Sequence, residues 1–253
     1  MEYIVEVRGV SIGTGIPKIC VPIVGRTRDE VYSAAKDLLT VPCDIVEWRV
    51  DWYEDVHVFS KVRETLEALR EILGEKPILF TFRSKAEGGE GEPERANYGM
   101  LITEAAHTGL VDLVDVEIFA GDEVVNKIIR SVHQTNVKVI ASNHDFEKTP
   151  EPKELIRRMK KMQEMGADIL KIAVMPNSRK DVLTLLFATE EMTGRYAKAP
   201  VITMSMGSMG QISRLCGESF GSAMTFGTAG RASAPGQMDA GDLSAVLKLL
   251  HTV

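Results

Sequence analysis

The 253-residue chain predicts an α/β fold, a (β/α)8 TIM barrel entered through an N-terminal β-hairpin. Three observations carry this. Short β-branched runs alternate with helical patterns eight times. About 250 residues is an ordinary length for one such barrel. The segment after the first barrel strand, Gly25-Arg26-Thr27, lacks the glycine fingerprint of a dinucleotide-binding open sheet, the main competing α/β architecture. No interdomain linker, low-complexity stretch or close internal repeat interrupts residues 1–253, so they read as a single catalytic domain.

The hairpin is expected over Tyr3–Val7 and Val10–Ile12, turning around Gly9. Barrel strands are then expected at Ile19–Val24, Ile45–Arg49, Ile78–Arg83, Leu113–Glu117, Val137–Asn143, Ile169–Val174, Val201–Ser205 and Ala223–Phe226. Helical stripes follow them. Val62, Leu66, Leu69 and Leu73 share a face, as do Leu155, Met159 and Met162, and Leu243, Val246, Leu247 and Leu250. The stretch Arg83–Asn97, charged and glycine-rich, reads as a lid-like loop.

A hydrophobic fraction of 44% and a charged fraction of 26% are those of an ordinary globular protein, and no apolar run is long enough to span a bilayer. A net charge of −6 argues against nucleic-acid or anionic-membrane partners. The N-terminus has no secretory pattern. Cys20, Cys43 and Cys216 have neither metal nor disulfide spacing, and Cys20 and Cys43 read as small core residues. The histidines show no metal spacing either. A cytoplasmic protein without metal or cofactor is expected.

Lys171 is the most informative residue. It lies in the apolar run Ile169–Val174, where an unpaired ammonium is poorly tolerated. Desolvation favours the neutral amine, which is what Schiff-base chemistry on a carbonyl needs. A stem packed in the core with its head in solvent is the plainer reading. In a barrel the active site lies at the carboxyl ends of the strands, and polar residues collect there: Glu47 and Arg49, Arg83, Asp115 and Glu117, Ser142-Asn143-His144-Asp145, and Ser205. Neighbouring strands put His144 beside Lys171, where it would serve as a general acid–base. Arg214 is suited to hold a carboxylate with both arms of its guanidinium. The loops Gly207–Arg214 and Arg231–Gln237 could instead cradle a phosphate.

The stretches Glu47-Trp48-Arg49, Phe80-Thr81-Phe82-Arg83, Glu87-Gly88-Gly89, Ser142-Asn143-His144-Asp145-Phe146, Lys171-Ile172-Ala173-Val174-Met175-Pro176, Ile202–Met206, Ile212-Ser213-Arg214 and Ala232–Gln237 occur in this order. By them the chain resembles the type I 3-dehydroquinate dehydratases over essentially its full length. The resemblance implies a carbon–oxygen lyase of the shikimate pathway, serving aromatic amino acid biosynthesis, that dehydrates 3-dehydroquinate to 3-dehydroshikimate. It implies Lys171 as the Schiff-base lysine, His144 as the acid–base and Glu87 as the group that orients it. Arg214 would bind the substrate carboxylate. Glu47, Arg49, Arg83, Ser233 and Gln237 would bind substrate or one another, and Met204, Met206, Phe226 and Ala234 would wall the pocket. A homodimer is implied as well. One departure is Pro22, at a position where the family often has a serine, which removes a hydroxyl. Two other readings of the residues stay open: a class I aldolase, and a barrel that binds carboxylates without chemistry.

Overall fold

The structure, a computed structural model, describes residues 3–92, 95–230 and 232–251. It opens with an antiparallel hairpin, β1 (Val5–Val7) and β2 (Val10–Ile12). Arg8 and Gly9 turn it with positive φ values of 43° and 75°, the geometry that matches the twist of the flanking strands. The barrel strands are β3 (Lys18–Ile23), β4 (Ile45–Arg49), β5 (Ile78–Thr81), β6 (Leu113–Glu117), β7 (Lys138–Asp145), β8 (Ile169–Val174), β9 (Val201–Ser205) and β10 (Met224–Phe226). Every pair is parallel, and the order β10-β3-β4-β5-β6-β7-β8-β9 follows the chain around the ring. The ring closes where Ala223 N–H donates to the Val201 carbonyl at 2.8 Å.

Helices α1 (Arg28–Asp37), α2 (Phe59–Leu73), α3 (Arg95–His107), α4 (Asp122–Val132), α5 (Pro152–Glu164), α6 (Arg179–Arg195) and α9 (Ala240–Leu250) cover the outside. After β9 the cover is two short helices, α7 (Gln211–Leu215) and α8 (Gly217–Phe220), in place of one long one. Local chemistry sets the starts. Thr27 caps α1 by accepting from Glu30 N–H, and Ser178 and Asp181 form a reciprocal capping box on α6. The expected stripes of α2 and α5 are buried. That of α9 ends early: Leu243 and Leu247 are buried, but Leu250, in the final residue of the helix, is 45% exposed.

Period-two alternation builds the barrel interior in layers. Ile45, Leu79, Leu113, Ile140, Ile169 and Ile202 form an apolar floor. Two residues further along the same strands stand Glu47, Thr81, Asp115, Ser142, Lys171 and Met204, and the register pairs Ser142 with Lys171. Val7 and Ile12 of the hairpin join the apolar floor, so the hairpin plugs the amino-terminal end and leaves chemistry to the other. Pro22 follows Cys20 on the inner face of β3, beyond the last β10 pair, where its missing N–H breaks no rung of that ladder.

Two expectations change. β7 runs on to Asp145, which places His144 within the strand and opposite Ala173, one layer above Lys171. The lid-like stretch is fastened over the part described. Ser84 bridges Gly91, residues 85–87 form a 3-10 turn, and α3 begins at Arg95. Gly88 and Gly91 lie so close to the rings of Phe146 and Phe82 that a Cβ would come within 2.2 Å and 2.1 Å of them. Pro93, Glu94 and Arg231, each within an expected loop, lie outside the described residues.

Candidate active site

A cavity opens at the carboxyl end of the barrel. All thirteen side chains to which the resemblance gives a role line it, together with Gly88, Phe146 and Ala173.

Lys171 lies on its floor, 3% exposed. Its Nζ is 3.2 Å from Asp115 Oδ2, 4.0 Å from Glu47 Oε1 and 4.4 Å from the centre of the Phe226 ring. The sequence places this amine in an apolar strand with His144 beside it and assigns it no carboxylate partner. The fold instead gives it carboxylates from β4 and β6, because the layer that holds Lys171 also holds Glu47 and Asp115. Asp115 is wholly buried and accepts from Ser142 Oγ at 2.6 Å and from Arg83 Nη2 at 2.8 Å. Burial opposes its ionisation, but Arg83, Lys171 and the Ser142 hydroxyl outweigh that and hold the carboxyl below its usual range.

His144 and Glu87 form the second unit. Glu87 Oε2 accepts both the ring Nδ1–H and the backbone N–H of His144, each at 2.9 Å, and Oε1 accepts from Asn143 Nδ2 at 3.2 Å. With Glu87 as the carboxylate, already accepting from the His144 backbone and from Asn143, the ring proton sits on Nδ1 and the lone pair on Nε2. Nε2 has no hydrogen-bond partner among the described residues. Burial, then Arg83, Lys171 and Arg49, lowers His144 well below the usual imidazole range. Burial, then Glu117, raises Glu87. A neutral imidazole with a free lone pair is thereby held over the cavity.

The three arginines of the rim differ. Arg49 spends its fork on Asp51, with Nε and Nη2 each at 2.8 Å. Arg83 is held by Asp115, by Glu117 at 2.9 Å and by Glu87 at 3.5 Å. Arg214 is 1% exposed, yet it has no carboxylate partner among the described residues. Nη2 donates to the Pro235 carbonyl at 3.1 Å, Nη1 reaches Met204 Sδ and the Phe226 carbonyl at 3.5 Å, and Nε is unpartnered. Burial lowers Arg214 to about 10. A buried guanidinium without an anion is a seat for one. The loop above it is closed upon itself, since Gln237 Oε1 accepts from Ser233 N–H at 2.8 Å and Gln237 Nε2 donates to Ser233 Oγ at 3.1 Å.

Sequence reasoning left some of this out. Asp115 was read only as a strand-end carboxylate. Asp51 was not singled out, although it follows Arg49 by two residues. Phe146 and Asn143 sat within a quoted stretch without a role. Each acquires its place through a partner distant in sequence, Asp51 through the backbone N–H groups of Arg83 and Glu90.

A family model for type I 3-dehydroquinase matches residues 19–253. The 3-dehydroquinate dehydratase of Clostridioides difficile (strain 630) is 53% identical over 99% of this chain and 98% of its own. That of Bacillus licheniformis is 50% identical over 99% of each. A crystal structure of the Clostridium difficile type I enzyme with covalently modified comenic acid superposes with a TM-score of 0.97 at 53% identity, covering 99% of both chains. The 3-dehydroquinate dehydratase of Geobacillus kaustophilus HTA426 gives 0.95 at 40% identity, over 99% of this chain and 98% of its own. The chain belongs to the type I 3-dehydroquinase family.

Proposed function

We propose that the protein dehydrates 3-dehydroquinate to 3-dehydroshikimate through a Schiff base on Lys171. The protein is a hydro-lyase acting on a small molecule, as its relatives at 50–53% identity are named. The observation that carries the assignment of roles is one cavity shared by a buried lysine, a histidine held at Nδ1 by Glu87 and a buried arginine with no carboxylate partner among the described residues.

The substrate carboxylate pairs with Arg214, which orients the ring. The Lys171 amine adds to the ring ketone, and water leaves to give an iminium. The iminium draws electrons from the adjacent CH2, and Nε2 of His144 removes a proton there to give an enamine. The enamine expels the β-hydroxyl, which takes a proton from His144 and departs as water. Hydrolysis of the iminium frees the product and returns the amine. Glu87 holds Nδ1–H throughout and meets the charge of the transient imidazolium. Glu47, Arg49, Arg83, Ser233 and Gln237 position the substrate or one another, with Met204, Met206, Phe226 and Ala234 as walls.

Borohydride reduction during incubation with 3-dehydroquinate should leave a stable adduct on the peptide carrying Lys171. Lys171→Ala should lose both adduct and turnover. His144→Ala should keep the adduct while turnover falls roughly 10²–10⁴-fold, the usual worth of acid–base assistance. Turnover by the wild type with no trapped adduct, or near-normal activity in Lys171→Ala, would remove the Schiff base.

We further infer one catalytic domain over 1–253, acting as a cytoplasmic homodimer. Cys20, Cys43 and Cys216 are free thiols, which suits a reducing compartment. Leu183 and Phe187, one turn apart on α6, are 66% and 54% exposed and offer apolar surface to a second copy. Sedimentation velocity at micromolar concentration checks this, and a single species at the 27.9 kDa monomer mass would overturn it.

A further inference from the structure

The His144–Glu87 pair is tied to the outside of the barrel. Asn143 lies on the outer face of β7, opposite in parity to Ser142 and His144, and is buried to 3% exposure. Its Nδ2 donates to Glu87 Oε1 at 3.2 Å, and its Oδ1 accepts from Arg158 Nη1 of helix α5 at 2.7 Å. A guanidinium has donors only, so the Asn143 amide must present its oxygen to Arg158. That leaves the NH2 group for Glu87. The reverse orientation would set a carbonyl oxygen against the Glu87 carboxylate and leave Arg158 facing an amine.

Arg158 is itself fixed from several sides. Nε donates to Glu154 Oε1 at 2.9 Å, Nη1 is 3.8 Å from Asp145 Oδ2, and the guanidinium carbon is 5.4 Å from the centre of the Phe119 ring in the turn after β6. We propose that Arg158 is a positioning residue for the His144–Glu87 pair and acts through the Asn143 amide, so that a helix outside the barrel sets the orientation of the catalytic base inside it. The proposal rests on the reading of that pair as the acid–base unit.

The physical consequence is directional. Glu87 faces Glu117 from β6, Arg83 from the end of β5, and His144 and Asn143 from β7. Burial and Glu117 favour its protonated form, while Arg83, the Asn143 amide and the His144 backbone N–H favour the carboxylate. A protonated Glu87 no longer holds His144 Nδ1–H in place. Losing the Asn143 donor therefore raises the proton affinity of Glu87. The acid limb of the rate profile should then move to higher pH. Binding of substrate, which the proposed function assigns to Arg214, should be unaffected.

The test is kinetic and uses the full chain with 3-dehydroquinate. Arg158→Met keeps the packed stem and removes the fork. We expect kcat to fall roughly 5–10-fold, the size of one hydrogen bond, with KM unchanged, the acid limb shifted upward and the borohydride adduct on Lys171 retained. Asn143→Ala should act in the same direction. Adding Arg158→Met to Asn143→Ala should cost nothing more, because both act through one amide. Arg158→Lys, which can still donate to Oδ1, should recover part of the loss. Arg157→Ala removes an ion pair to Glu154 on the same helix without touching Asn143, and should leave kcat and the acid limb alone. Wild-type kcat and acid limb in Arg158→Met, no shift in Asn143→Ala, or losses that multiply in the double variant would overturn the inference. A wild-type protein that fails to turn over 3-dehydroquinate would instead overturn the dehydratase reading beneath it.

Discussion

Asp115 stands 3.2 Å from Lys171 Nζ and 2.8 Å from Arg83 Nη2, with no exposure to solvent. The nitrogen of Lys171 is cationic as an ammonium and again as an iminium, so one fixed carboxylate serves both states. Glu47, the other carboxylate near the amine, is 4.0 Å away and is engaged by the Thr81 hydroxyl at 2.9 Å. Asp115→Asn keeps the shape and removes the charge. It takes a buried carboxylate away from Arg83 and from the Lys171 nitrogen, and breaking a buried ion pair typically costs about 3–5 kcal/mol. Denaturant titration of the free enzyme should show that loss, and kcat should fall at least ~10-fold because the cationic iminium loses its counter-charge. A variant with wild-type stability and kcat would make Asp115 a bystander.

At the scale of elements, what was legible was whatever a local pattern determines. The eight strands appear because each is a short run that contains β-branched residues, and α2 and α5 because their stripes are complete. The rim was legible as well, since polar residues two positions beyond an apolar floor must point the same way. The environment of Lys171 was not. Its partner Asp115 lies on β6, two strands away, and only the shared layer brings them together. The same holds for Asp51, whose Oδ1 also accepts Arg83 N–H at 3.2 Å and whose Oδ2 accepts Glu90 N–H at 3.1 Å. That one side chain ties Arg49 to the Glu87-bearing segment, so the stretch read as a lid is held to the barrel wall. Glycine at 88 and 91 has a local reason as well, because aromatic rings press on both positions. Arg158 was equally silent, an ordinary basic residue on an amphipathic helix until the fold sets it against Asn143.

Across the whole molecule the two ends of the barrel do different work. The carboxyl end concentrates buried charge around a cavity. The amino end is closed by the hairpin and held by Asp112, which lies just before β6. Asp112 Oδ1 accepts from Arg8 Nε at 2.6 Å, and Oδ2 accepts from Arg70 Nη2 at 2.6 Å and from the backbone N–H of Ile78 at 2.8 Å. One carboxylate thus joins the hairpin turn, helix α2 and the start of β5. Arg70 continues the clamp to the carbonyls of Leu110, Gly74 and Lys76. Residues at this face of a barrel serve stability, and those at the other serve chemistry. Asp112→Asn should therefore separate the two. Its charge-assisted bonds are worth about 2 kcal/mol together after relaxation, or roughly 4–8 °C in Tm for a chain of this size, and kcat/KM should not change at temperatures where the variant is folded. Calorimetry beside a steady-state assay reads both. A fall in kcat/KM with Tm unchanged would mean that the amino end is coupled to the site through the apolar floor, and that the ends are not independent.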